Sequence, residues 1–422
     1  MKIVHVSRYY KMGGAAKAAF RLHTSLLERN IQSYFISLDE DMPNKLPLVN
    51  LRSEYLSLKN IHYRIYNKLR RVLSPFIKTK KYILQKELQQ HLPDINAEFI
   101  SLPFSEYRLE NHPIIKDADI IHLHWVADEM LDYGTFFSSC NKPIVWTLHD
   151  MNPFQGLFHY KNDLINNENK TKELDNKVLE IKKVAVRNYK NSLTVVTPSH
   201  WLAEEANESS VFENRKIITI PYGLNLDIFT LHNKDEARNA LSLPQNKTIL
   251  LFIAESINNT RKGFSILLEA LYQKQDNDTI IVAMGEKPLN IDLNSKLKIL
   301  YTGRISDENL IAKYFSACDA FILPSTEDNL PNVMLESLSC GTPVIGFPVG
   351  GIKEHVHHMH TGILAKAVTS YSLMLAIQEF INAKDSFDRN EIRKYAVSFF
   401  EENKNTNKYI ELYKELMQPS NL

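Results

Sequence analysis

Cysteine is scarce in this sequence: Cys140, Cys318 and Cys340 are the three among 422 residues. They lie in or beside apolar segments without the spacing of metal ligands, and an odd number without a secretory signal favours free thiols. The opening residues, MKIVHVSRYY, have the pattern of a first strand and not of a signal peptide. We therefore expect reduced cysteines and a cytoplasmic protein.

Long apolar runs and an excess of charge are also missing. No apolar run approaches the roughly 20 residues that a membrane-spanning helix needs, so we expect a protein that is soluble or lies at most on the inner face of a membrane. Lysine and arginine number 50 and aspartate and glutamate 49, which gives a formal net charge of +1. That balance supplies no general attraction to nucleic acid, and we expect no nucleic-acid partner.

The length and the alternation of patterns predict an α/β protein with two domains. A chain of 422 residues is too long for one compact core to be the first choice. Strand and helix patterns alternate through both halves, which is typical of parallel sheets with crossover helices. The longest helices are expected from Leu174 to Lys190 and from Arg393 to Leu416.

A glycine pair follows the first predicted strand, Lys2 to Val6. After a short loop, Gly13 and Gly14 open a helix of apolar periodicity. A glycine pair between strand and helix permits the backbone to approach a ligand closely. It lacks the complete dinucleotide-binding fingerprint, so a simple tight turn explains it equally well.

Histidines stand at the ends of two further predicted strands. The run DIIHLHWV, residues 119–126, carries His122 and His124, and no third ligand is apparent nearby. Core or pocket-lining histidines are therefore favoured over a metal site. The strand from Pro143 to Leu148 is followed by His149, at the carboxyl end of a parallel strand, where open α/β sheets bind ligands.

A second group of histidines, His355, His357, His358 and His360, invites a zinc hypothesis. No cysteine or pair of acids completes the set. We expect no metal there.

Residues 59–85 carry eight cations interleaved with apolar residues and no acid in the basic run. This pattern predicts a basic amphipathic helix, broken near Pro75. Such a segment can lie on an anionic membrane surface or hold an acidic acceptor. A solvated helix whose apolar side covers the sheet remains an equal alternative.

The most informative stretch runs from Phe321 to Val356. A short apolar strand ends at Pro324, and a polar loop leads to Pro331, a favourable first residue for a helix. The helix ends at Gly341, before the next strand. Helix N-termini at the ends of parallel strands bind anions, and phosphates above all.

Acids and cations surround this helix. Asp328 lies in the loop before it and Glu336 lies eight positions later, inside it. A carboxylate at Glu336 can accept hydrogen bonds from a diol such as ribose, although by itself a solvated surface acid is the simpler explanation. Upstream, Arg261 and Lys262 stand before Gly263 at a helix entry, where two cations suit a diphosphate. An ordinary basic turn has the same pattern.

These residues resemble a known signature. Two acids separated by seven residues, a CG-x-PV strand and a GG-x-x-E loop mark the donor site of the family 4 retaining glycosyltransferases, and here they read Asp328, Glu336, Cys340–Gly341, Pro343–Val344, Gly350–Gly351 and Glu354. TLHDMNPF around His149 and PSHWLAEEA, with Ser199 as helix cap, also resemble that family. In two departures, Asp328 replaces the usual glutamate and Ile257 stands where many relatives carry an arginine.

The resemblance implies the GT-B architecture. In it, two Rossmann-like domains with parallel sheets face a central cleft, and a C-terminal helix crosses back onto the first domain. The expected acceptor-side domain comprises residues 1–228 with the helix at about 400–422. The expected nucleotide-sugar domain comprises residues 229–399.

The resemblance also implies the site. His149 and Asp328 are the expected catalytic residues, with His149 facing the donor sugar and Asp328 holding its hydroxyls. The expected donor-binding residues are Gly13, Gly14, Arg261, Lys262, Arg304, Ile305, Leu330, Pro331, Asn332, Val333 and Glu336. No metal or other cofactor is expected.

The expected function is transfer of a sugar, with retention, from a nucleotide-sugar to a saccharide or lipid-linked acceptor. Surface polysaccharide or glycoconjugate biosynthesis is the expected setting. Two alternatives stay open: a non-catalytic nucleotide-sugar-binding or assembly protein on the same fold, and a nucleotide-sugar epimerase. Donor hydrolysis separates the transferase from the binding protein.

Overall fold

The computed structural model describes residues 1–57, 61, 65, 68–69, 72–73, 78–274, 278–286 and 298–418. The chain divides into two units, Met1–Ile220 with Thr406–Leu422, and Pro221–Asn405. The sequence-based boundaries, 1–228 with about 400–422 and 229–399, differ from these by a few residues and stay a prediction.

The first unit is built on a seven-stranded parallel sheet in the order β3-β2-β1-β4-β5-β6-β7. Its strands are β1 (Lys2–Val6), β2 (Gln32–Ser37), β3 (Leu48–Asn50), β4 (Ile120–Leu123), β5 (Ile144–Thr147), β6 (Leu193–Thr197) and β7 (Lys216–Thr219). Its described helices are α1 (Gly13–Glu28), α2 (Leu51–Leu56), α3 (Lys80–His91), α4 (Pro113–Lys116), α5 (Tyr133–Ser139), α6 (Lys161–Asn188) and α7 (His200–Glu208). Short 3-10 turns lie at Leu92–Asp94, Leu109–Asn111 and Asn152–Phe154.

The second unit is built on a six-stranded parallel sheet in the order β10-β9-β8-β11-β12-β13. Its strands are β8 (Thr248–Ser256), β9 (Thr279–Glu286), β10 (Lys298–Gly303), β11 (Ala320–Leu323), β12 (Val344–Gly346) and β13 (Gly362–Leu364). Its described helices are α8 (Lys234–Ala240), α9 (Phe264–Lys274), α10 (Glu308–Ala317), α11 (Asn332–Ser339), α12 (Ile352–His355), α13 (Ser370–Ala383) and α14 (Arg389–Phe400), with 3-10 turns at Thr260–Lys262 and Lys384–Ser386. The last helix, α15 (Glu402–Met417), begins in this unit and continues into the first.

The central strands are buried along their whole length because helices cover both faces of each sheet. Every residue of β4, β5, β6 and β11 is buried. Strands covered on both faces are continuous apolar runs, without the alternation of a half-exposed sheet. The prediction of an α/β protein with two parallel sheets is therefore confirmed.

The C-terminal helix α15 packs on the sheet of the first unit. Tyr409, Leu412 and Tyr413 are buried in a cluster with Ile3 of β1 and Val145 of β5. This confirms the predicted return of the C-terminal helix to the first half of the chain. Among the described residues, none of the helices is both long and apolar enough to cross a bilayer.

Two helix predictions were wrong in their bounds. The helix predicted from Arg393 to Leu416 is two helices, α14 and α15, because Glu401 between them is extended and its carboxylate accepts from the backbone N–H groups of Asn403 and Lys404, at 2.9 and 2.6 Å. That cap starts a new helix. The helix predicted from Leu174 begins earlier, at Lys161.

The packing of α15 gives a test. Tyr413 is fully buried, and its hydroxyl lies 2.6 Å from Nδ1 of His122. Tyr413→Ala should lower the free energy of unfolding of the first unit by about 3–5 kcal/mol, the scale for deleting a buried aromatic ring. Tyr413→Phe removes only the hydroxyl, so it should cost about 1–2 kcal/mol.

Urea unfolding followed by tryptophan fluorescence measures both variants, because Trp125, Trp146 and Trp201 all lie in the first unit. Tyr371→Ala, at an exposed position of the second unit, is the control and should leave the transition unchanged. Equal losses in the alanine and phenylalanine variants would show that ring packing is not the main contribution of Tyr413.

Candidate functional site

The order of strands reverses once in each sheet. In the first unit the reversal lies between β1 and β4, and in the second between β8 and β11. Crossover connections leave such a point in opposite directions, and ligands of open α/β sheets bind there, outside the carboxyl ends of the strands. Each unit therefore has one expected ligand-binding edge.

In the second unit, that edge brings together three predicted site residues. Arg261 and Lys262 lie in the 3-10 turn after β8, and Asp328 lies in the loop after β11. Lys262 Nζ donates to Asp328 Oδ2 at 2.5 Å, and Arg261 Nη1 lies 3.5 Å from the same oxygen. Two cations and a carboxylate thus form one charged cluster at the switch point.

The two loops of this cluster are held together through backbone atoms. Gly263 has φ +71°, and a Cβ there would collide with the carbonyl oxygen of Pro324 at the end of β11. Glycine is required by both the conformation and the contact. Thr326 N donates to the carbonyl oxygen of Arg261 at 2.8 Å, and Arg261 Nη1 donates to the carbonyl oxygen of Glu327 at 2.9 Å. The cations are therefore positioned before any ligand arrives.

Asp328 is ionised in this cluster. Burial raises the pKa of the Asp328 carboxyl, but Lys262 and Arg261 outweigh burial and hold the pKa below its usual range. At neutral pH the negative charge of the Asp328 carboxylate therefore faces both cations.

The helix α11 begins beside this cluster. Leu330, Pro331 and Asn332 are buried and Val333 is half-buried, with Pro331 one residue before the helix and not its first residue as predicted. Glu336 is 5 % exposed, so its interpretation as a solvated surface acid was wrong. A carboxylate this buried needs polar partners, because an isolated buried charge is strongly unfavourable.

Arg304 and Ile305 follow β10, on the far side of β9 from β8. Arg304 Nη2 donates to Glu255 Oε1 of β8 at 2.7 Å, and both side chains are largely exposed. Ile305 is half-buried. Their contact with the nucleotide stays a prediction.

In the first unit, a pocket lies at the carboxyl ends of β4 and β5. Its lining includes His124, Trp125, Tyr133, His149, Asp150 and Asn152. His149 therefore lines a pocket at the carboxyl edge of this sheet, next to the reversal between β1 and β4. Gly13, with φ +81°, opens α1 at this end of β1, and the conformation explains the glycine. A donor contact of Gly13 or Gly14 stays a prediction.

Asp150, which sequence analysis missed, is the centre of a buried hydrogen-bond network beside His149. Its Oδ2 accepts from Trp125 Nε1 at 2.6 Å and lies 2.7 Å from Nδ1 of His159. Its Oδ1 accepts from the backbone N–H of Asn152 at 3.0 Å. Burial raises the pKa of Asp150, but His159, Trp125 and Asn152 hold it below the usual value. The position of Asp150, directly after a strand-end histidine, was the available signal.

A buried lysine holds the loop after Asp150. Lys182 of α6 donates from Nζ to the carbonyl oxygens of Asn152, Gln155 and Gly156, at 2.6, 3.0 and 2.7 Å. Burial lowers the pKa of Lys182 to about 7. Lys182 orders the pocket wall from behind, and nothing in its sequence context indicated this role.

His122 in β4 and His124 just after it have a third histidine neighbour, contrary to the expectation. His5 of β1 stands directly opposite His122 in the parallel register, and one ring nitrogen of each of His5, His122 and His124 lies within 4.8 Å of the others. His5 Nδ1 lies 3.0 Å from His124 Nε2, a hydrogen-bond distance. Two nitrogen ligands of one tetrahedral zinc stand about 3.3 Å apart, from bonds of 2.0–2.1 Å.

Hydroxyl groups complete the polar contacts of His122. Its Nδ1 lies 2.6 Å from the Tyr413 hydroxyl and its Nε2 lies 2.8 Å from the Thr147 hydroxyl. Both ring nitrogens are therefore satisfied by hydrogen bonds, which favours a hydrogen-bonded histidine core over a metal site.

The other motifs singled out in the sequence have simpler surroundings. His355 Nδ1 and His357 Nε2 each lie 3.0 Å from the Tyr395 hydroxyl, and His358 pairs with Glu379. The first two contacts form a hydrogen-bonded aromatic cluster around Tyr395, and the third is a surface ion pair. Most of the basic segment 59–85 before α3 lies outside the described residues, so its membrane or acceptor contact stays a prediction.

The buried histidines make the stability of the first unit depend on pH. Burial lowers the pKa of His23 and His149 to about 4 and holds the pKa values of His5, His122 and His124 well below their usual value. Between the folded values and about 6.5, the unfolded chain binds protons that the folded chain excludes. The free energy of unfolding should therefore fall as the pH is lowered from 6.5 to 5.

The slope should exceed about 1.4 kcal/mol per pH unit, the value for one proton, because several histidines contribute. Tryptophan fluorescence in urea at pH 5.0, 5.5, 6.0 and 6.5 measures it. His23 lies in α1, on the helix side of the cluster. His23→Gln should reduce the slope by up to about 1.4 kcal/mol per pH unit, because one protonating histidine is removed from the unfolded chain. A flat profile would mean that the histidines are not buried as neutral groups.

Comparison with known proteins finds glycosyltransferases, the family that the sequence resembles. Residues 247–383 match the family model of the glycosyl transferases group 1. TuaC of Bacillus subtilis, a glycosyltransferase named for teichuronic acid biosynthesis, is 27% identical over 266 residues, which cover 62% of this chain and 61% of TuaC. D-inositol 3-phosphate glycosyltransferase of Streptosporangium roseum is 25% identical over 63% of this chain and 61% of that protein. The chain thus spans about three fifths of the length of these relatives.

Solved structures match over nearly the whole chain. Sucrose-phosphate synthase from Thermosynechococcus elongatus has a TM-score of 0.67 at 19% identity and covers 99% of both chains. HepE of Anabaena, in complex with UDP-glucose, has a TM-score of 0.61 at 14% identity and covers 98% of this chain and 100% of HepE. These matches show the GT-B fold that the sequence predicted. The match to the glycosyl transferases group 1 covers residues 247–383, which lie in the second unit.

Proposed function

We propose that this protein is a retaining glycosyltransferase that moves a sugar from a nucleotide-sugar donor to a saccharide or lipid-linked acceptor. The observation that carries the proposal is the cluster of Arg261, Lys262 and Asp328 beside the start of α11, at the switch point of the second unit. Two fixed cations and a helix N-terminus match the charge of a diphosphate. The complex of HepE with UDP-glucose supports the same class of donor.

In the proposed reaction, the bond between the anomeric carbon and a diphosphate oxygen breaks. An acceptor hydroxyl bonds to the anomeric carbon on the same face, and its proton passes to the departing phosphate oxygen. Arg261, Lys262 and the first turn of α11 stabilise the developing negative charge as preorganised charges, without a metal ion. Asp328 accepts hydrogen bonds from the donor sugar.

The remaining roles follow from chemistry and position. Glu336 accepts hydrogen bonds from the ribose hydroxyls, and the backbone at Arg304 and Ile305 contacts the base. His149 faces a sugar in the pocket of the first unit. From the family resemblance, we also propose a role in surface polysaccharide or glycoconjugate biosynthesis. The basic residues of segment 59–85 would hold the protein at the inner face of the membrane.

The test of the function is a panel of UDP-, GDP-, ADP- and dTDP-sugars, followed by thermal unfolding. A ligand at 100 times its Kd stabilises the folded state by about 2.7 kcal/mol, so one class of donor should raise the Tm. Glu336→Gln should weaken binding of that donor by roughly 1.5–3 kcal/mol, the range for a charge-assisted hydrogen bond. Glu391→Gln, at an exposed position of α14, should leave binding unchanged.

The donor found in this way should be hydrolysed or transferred, and proton NMR of the fresh product should show the donor's anomeric configuration. Binding without any turnover would favour the alternative of a non-catalytic assembly protein. An inverted product would exclude the retaining mechanism, and affinity unchanged in Glu336→Gln would exclude the ribose contact.

The charged cluster gives a sharper prediction, because Lys262 and Asp328 are paired and have opposite roles. Lys262→Ala should lower affinity for UDP far more than for uridine, since it removes a phosphate contact. Asp328→Asn releases Lys262 from its carboxylate partner, so UDP should bind at least as tightly as in the wild type. Its kcat should nevertheless fall by about 10²-fold or more, the scale for one preorganised transition-state contact.

Calorimetry with UDP and uridine, and turnover of the donor identified by the panel, measure the two effects. If the panel selects another base, the matching diphosphate and nucleoside replace UDP and uridine. Loss of diphosphate affinity in Asp328→Asn would show that Asp328 supports the phosphate site and not the sugar.

A further inference from the structure

A buried amino group joins helix α6 to the loop that forms one wall of the pocket beside His149. Lys182 of α6 is 1 % exposed, and its Nζ lies 2.6, 3.0 and 2.7 Å from the carbonyl oxygens of Asn152, Gln155 and Gly156. The side-chain oxygen of Asn152 is a fourth acceptor, at 3.2 Å. All four partners of Lys182 are therefore oxygens that accept hydrogen bonds.

The same loop connects Lys182 to the lining of the pocket. Asn152 and Asp150 both line it, and the backbone N–H of Asn152 donates to Asp150 Oδ1 at 3.0 Å. The other carboxylate oxygen of Asp150 accepts from Nε1 of Trp125, a third lining residue, at 2.6 Å. A change at Lys182 therefore reaches the lining through Asn152 and Asp150.

A second residue of α6 holds the loop from the same side. Asp175 Oδ1 accepts from the backbone N–H of Leu157 at 2.7 Å, and Gly156 packs so closely on Asp175 that a Cβ there would collide with it. Residues 151–159 are all buried. A carbonyl oxygen that Lys182 releases therefore gains no free access to water, which is the usual substitute for a lost backbone partner.

The bonds of Lys182 require its charged form. An ammonium group has three N–H donors, one for each carbonyl oxygen, and no acceptor. A neutral amine has two N–H groups and a lone pair, so one carbonyl oxygen loses its donor. A buried acceptor without a partner is unfavourable, and the loop must therefore shift when Lys182 is neutral.

Burial acts in the opposite direction. It lowers the pKa of Lys182 to about 7, although the carboxylates of Asp175 and Asp150 raise it. Tyr133 of α5 also faces Lys182, with its ring centroid 5.8 Å from Nζ, and burial keeps its hydroxyl neutral by raising its pKa. Both forms of Lys182 are therefore accessible near neutral pH, but only the charged form matches the loop.

We propose that Lys182 is a positioning residue whose ammonium form holds the pocket wall in its binding geometry, and that loss of its proton at mildly alkaline pH weakens ligand binding in the pocket. The identity of the ligand rests on the proposed function, in which His149 faces a sugar there. The titration of Lys182 and its effect on the wall do not.

The direct test is ¹³C NMR of the ligand-free protein labelled at lysine Cε, which follows the charge of each lysine with pH. Lys182 is assigned by the loss of its signal in Lys182→Met. We expect its midpoint between pH 6.5 and 9, because burial and the three carbonyl bonds oppose each other, whereas exposed lysines titrate near 10.4. A midpoint outside that range would overturn the proposal.

The second test reads the wall through Trp125, whose indole N–H donates to Asp150. The ¹H–¹⁵N signal of Trp125, assigned with Trp125→Phe, should shift at the midpoint of Lys182. The same shift should occur in Lys183→Met, the matched control at the next, half-buried position of α6, and be absent in Lys182→Met. A separate shift from His159, which bonds to Asp150, would remain in every variant. A shift that persists in Lys182→Met at the Lys182 midpoint would overturn the proposal.

A variant with Lys182 intact keeps the proposal testable if Lys182→Met does not fold. Asp175→Asn retains an oxygen acceptor for the N–H of Leu157 and removes a carboxylate that favours the ammonium form. It should lower the midpoints of the Lys182 and Trp125 signals together. Midpoints that move separately would overturn the coupling between Lys182 and the pocket wall.

Turnover of the donor found by the panel gives the functional test. Above the Lys182 midpoint, kcat/KM should fall by up to about 10-fold per pH unit in the wild type and in Lys183→Met, the slope for one essential proton. In Lys182→Met, kcat/KM should be low and independent of pH in this range. A wild-type pH profile in Lys182→Met would reject the positioning role.

Unfolding does not explain such a loss of turnover. The lysine of the unfolded chain binds its proton more tightly than buried Lys182, so Lys182 makes the folded state more stable as the pH rises from 7 to 8. If no donor is turned over, the proposed function fails, while the NMR measurements still decide the charge of Lys182 and its effect on the wall.

Discussion

The reversal of strand order in a parallel sheet is the constraint on which both functional regions depend. At β1/β4 and at β8/β11 the crossovers leave in opposite directions, so the loops beyond the carboxyl ends diverge and leave room for side chains. Loops and side chains from two neighbouring strands then meet at each reversal. In the second unit the turn after β8 meets the loop after β11, and in the first unit β1 and β4 place His5 opposite His122. The strand order therefore determines which strands contribute residues to each region.

The charged cluster of the second unit shows how such a gap can be kept ordered without a ligand. Two partly buried cations would repel each other and lose hydration if nothing balanced them. Asp328 balances them, while the Arg261 side chain and backbone bind the neighbouring loop. In the proposed function, a diphosphate carries more negative charge than one carboxylate and would replace Asp328 as the partner of Lys262. The pair therefore preorganises the site in either state.

Local sequence was sufficient for much of this molecule and insufficient in specific places. Buried strands were predictable because both-face burial makes continuous apolar runs. Arg261, Lys262, Asp328 and Glu336 were predicted through their resemblance to a known signature, because each of them alone also fits an ordinary surface position. His5 and Lys182 could not be found, because their roles depend on the register of β1 with β4 and on the packing of α6 behind the loop. The start of α6 at Lys161 was not predicted for a related reason. Residues 161–173 are mostly polar, and Asn167 and Thr171 are buried through side-chain bonds to Asn96 and to the backbone of Asn167.

The histidine core raises the question of why β1, β4 with its end, and α1 hold four buried imidazoles, those of His5, His122, His124 and His23. Apolar side chains of the same volume would remove the penalty of excluding protons below pH 6.5. They would not, however, make the directional hydrogen bonds of imidazole, which has a donor on one side of the ring and an acceptor on the other. His23 and His122 use that property to join Ser33, Thr147 and Tyr413, which fixes α1 and α15 on the sheet. His5, His124 and His149 are joined by two such ring contacts, of 3.0 and 3.3 Å, each of which needs one donor and one acceptor. The first unit thus gains directional contacts between its sheet and its helices at the expense of stability in acid.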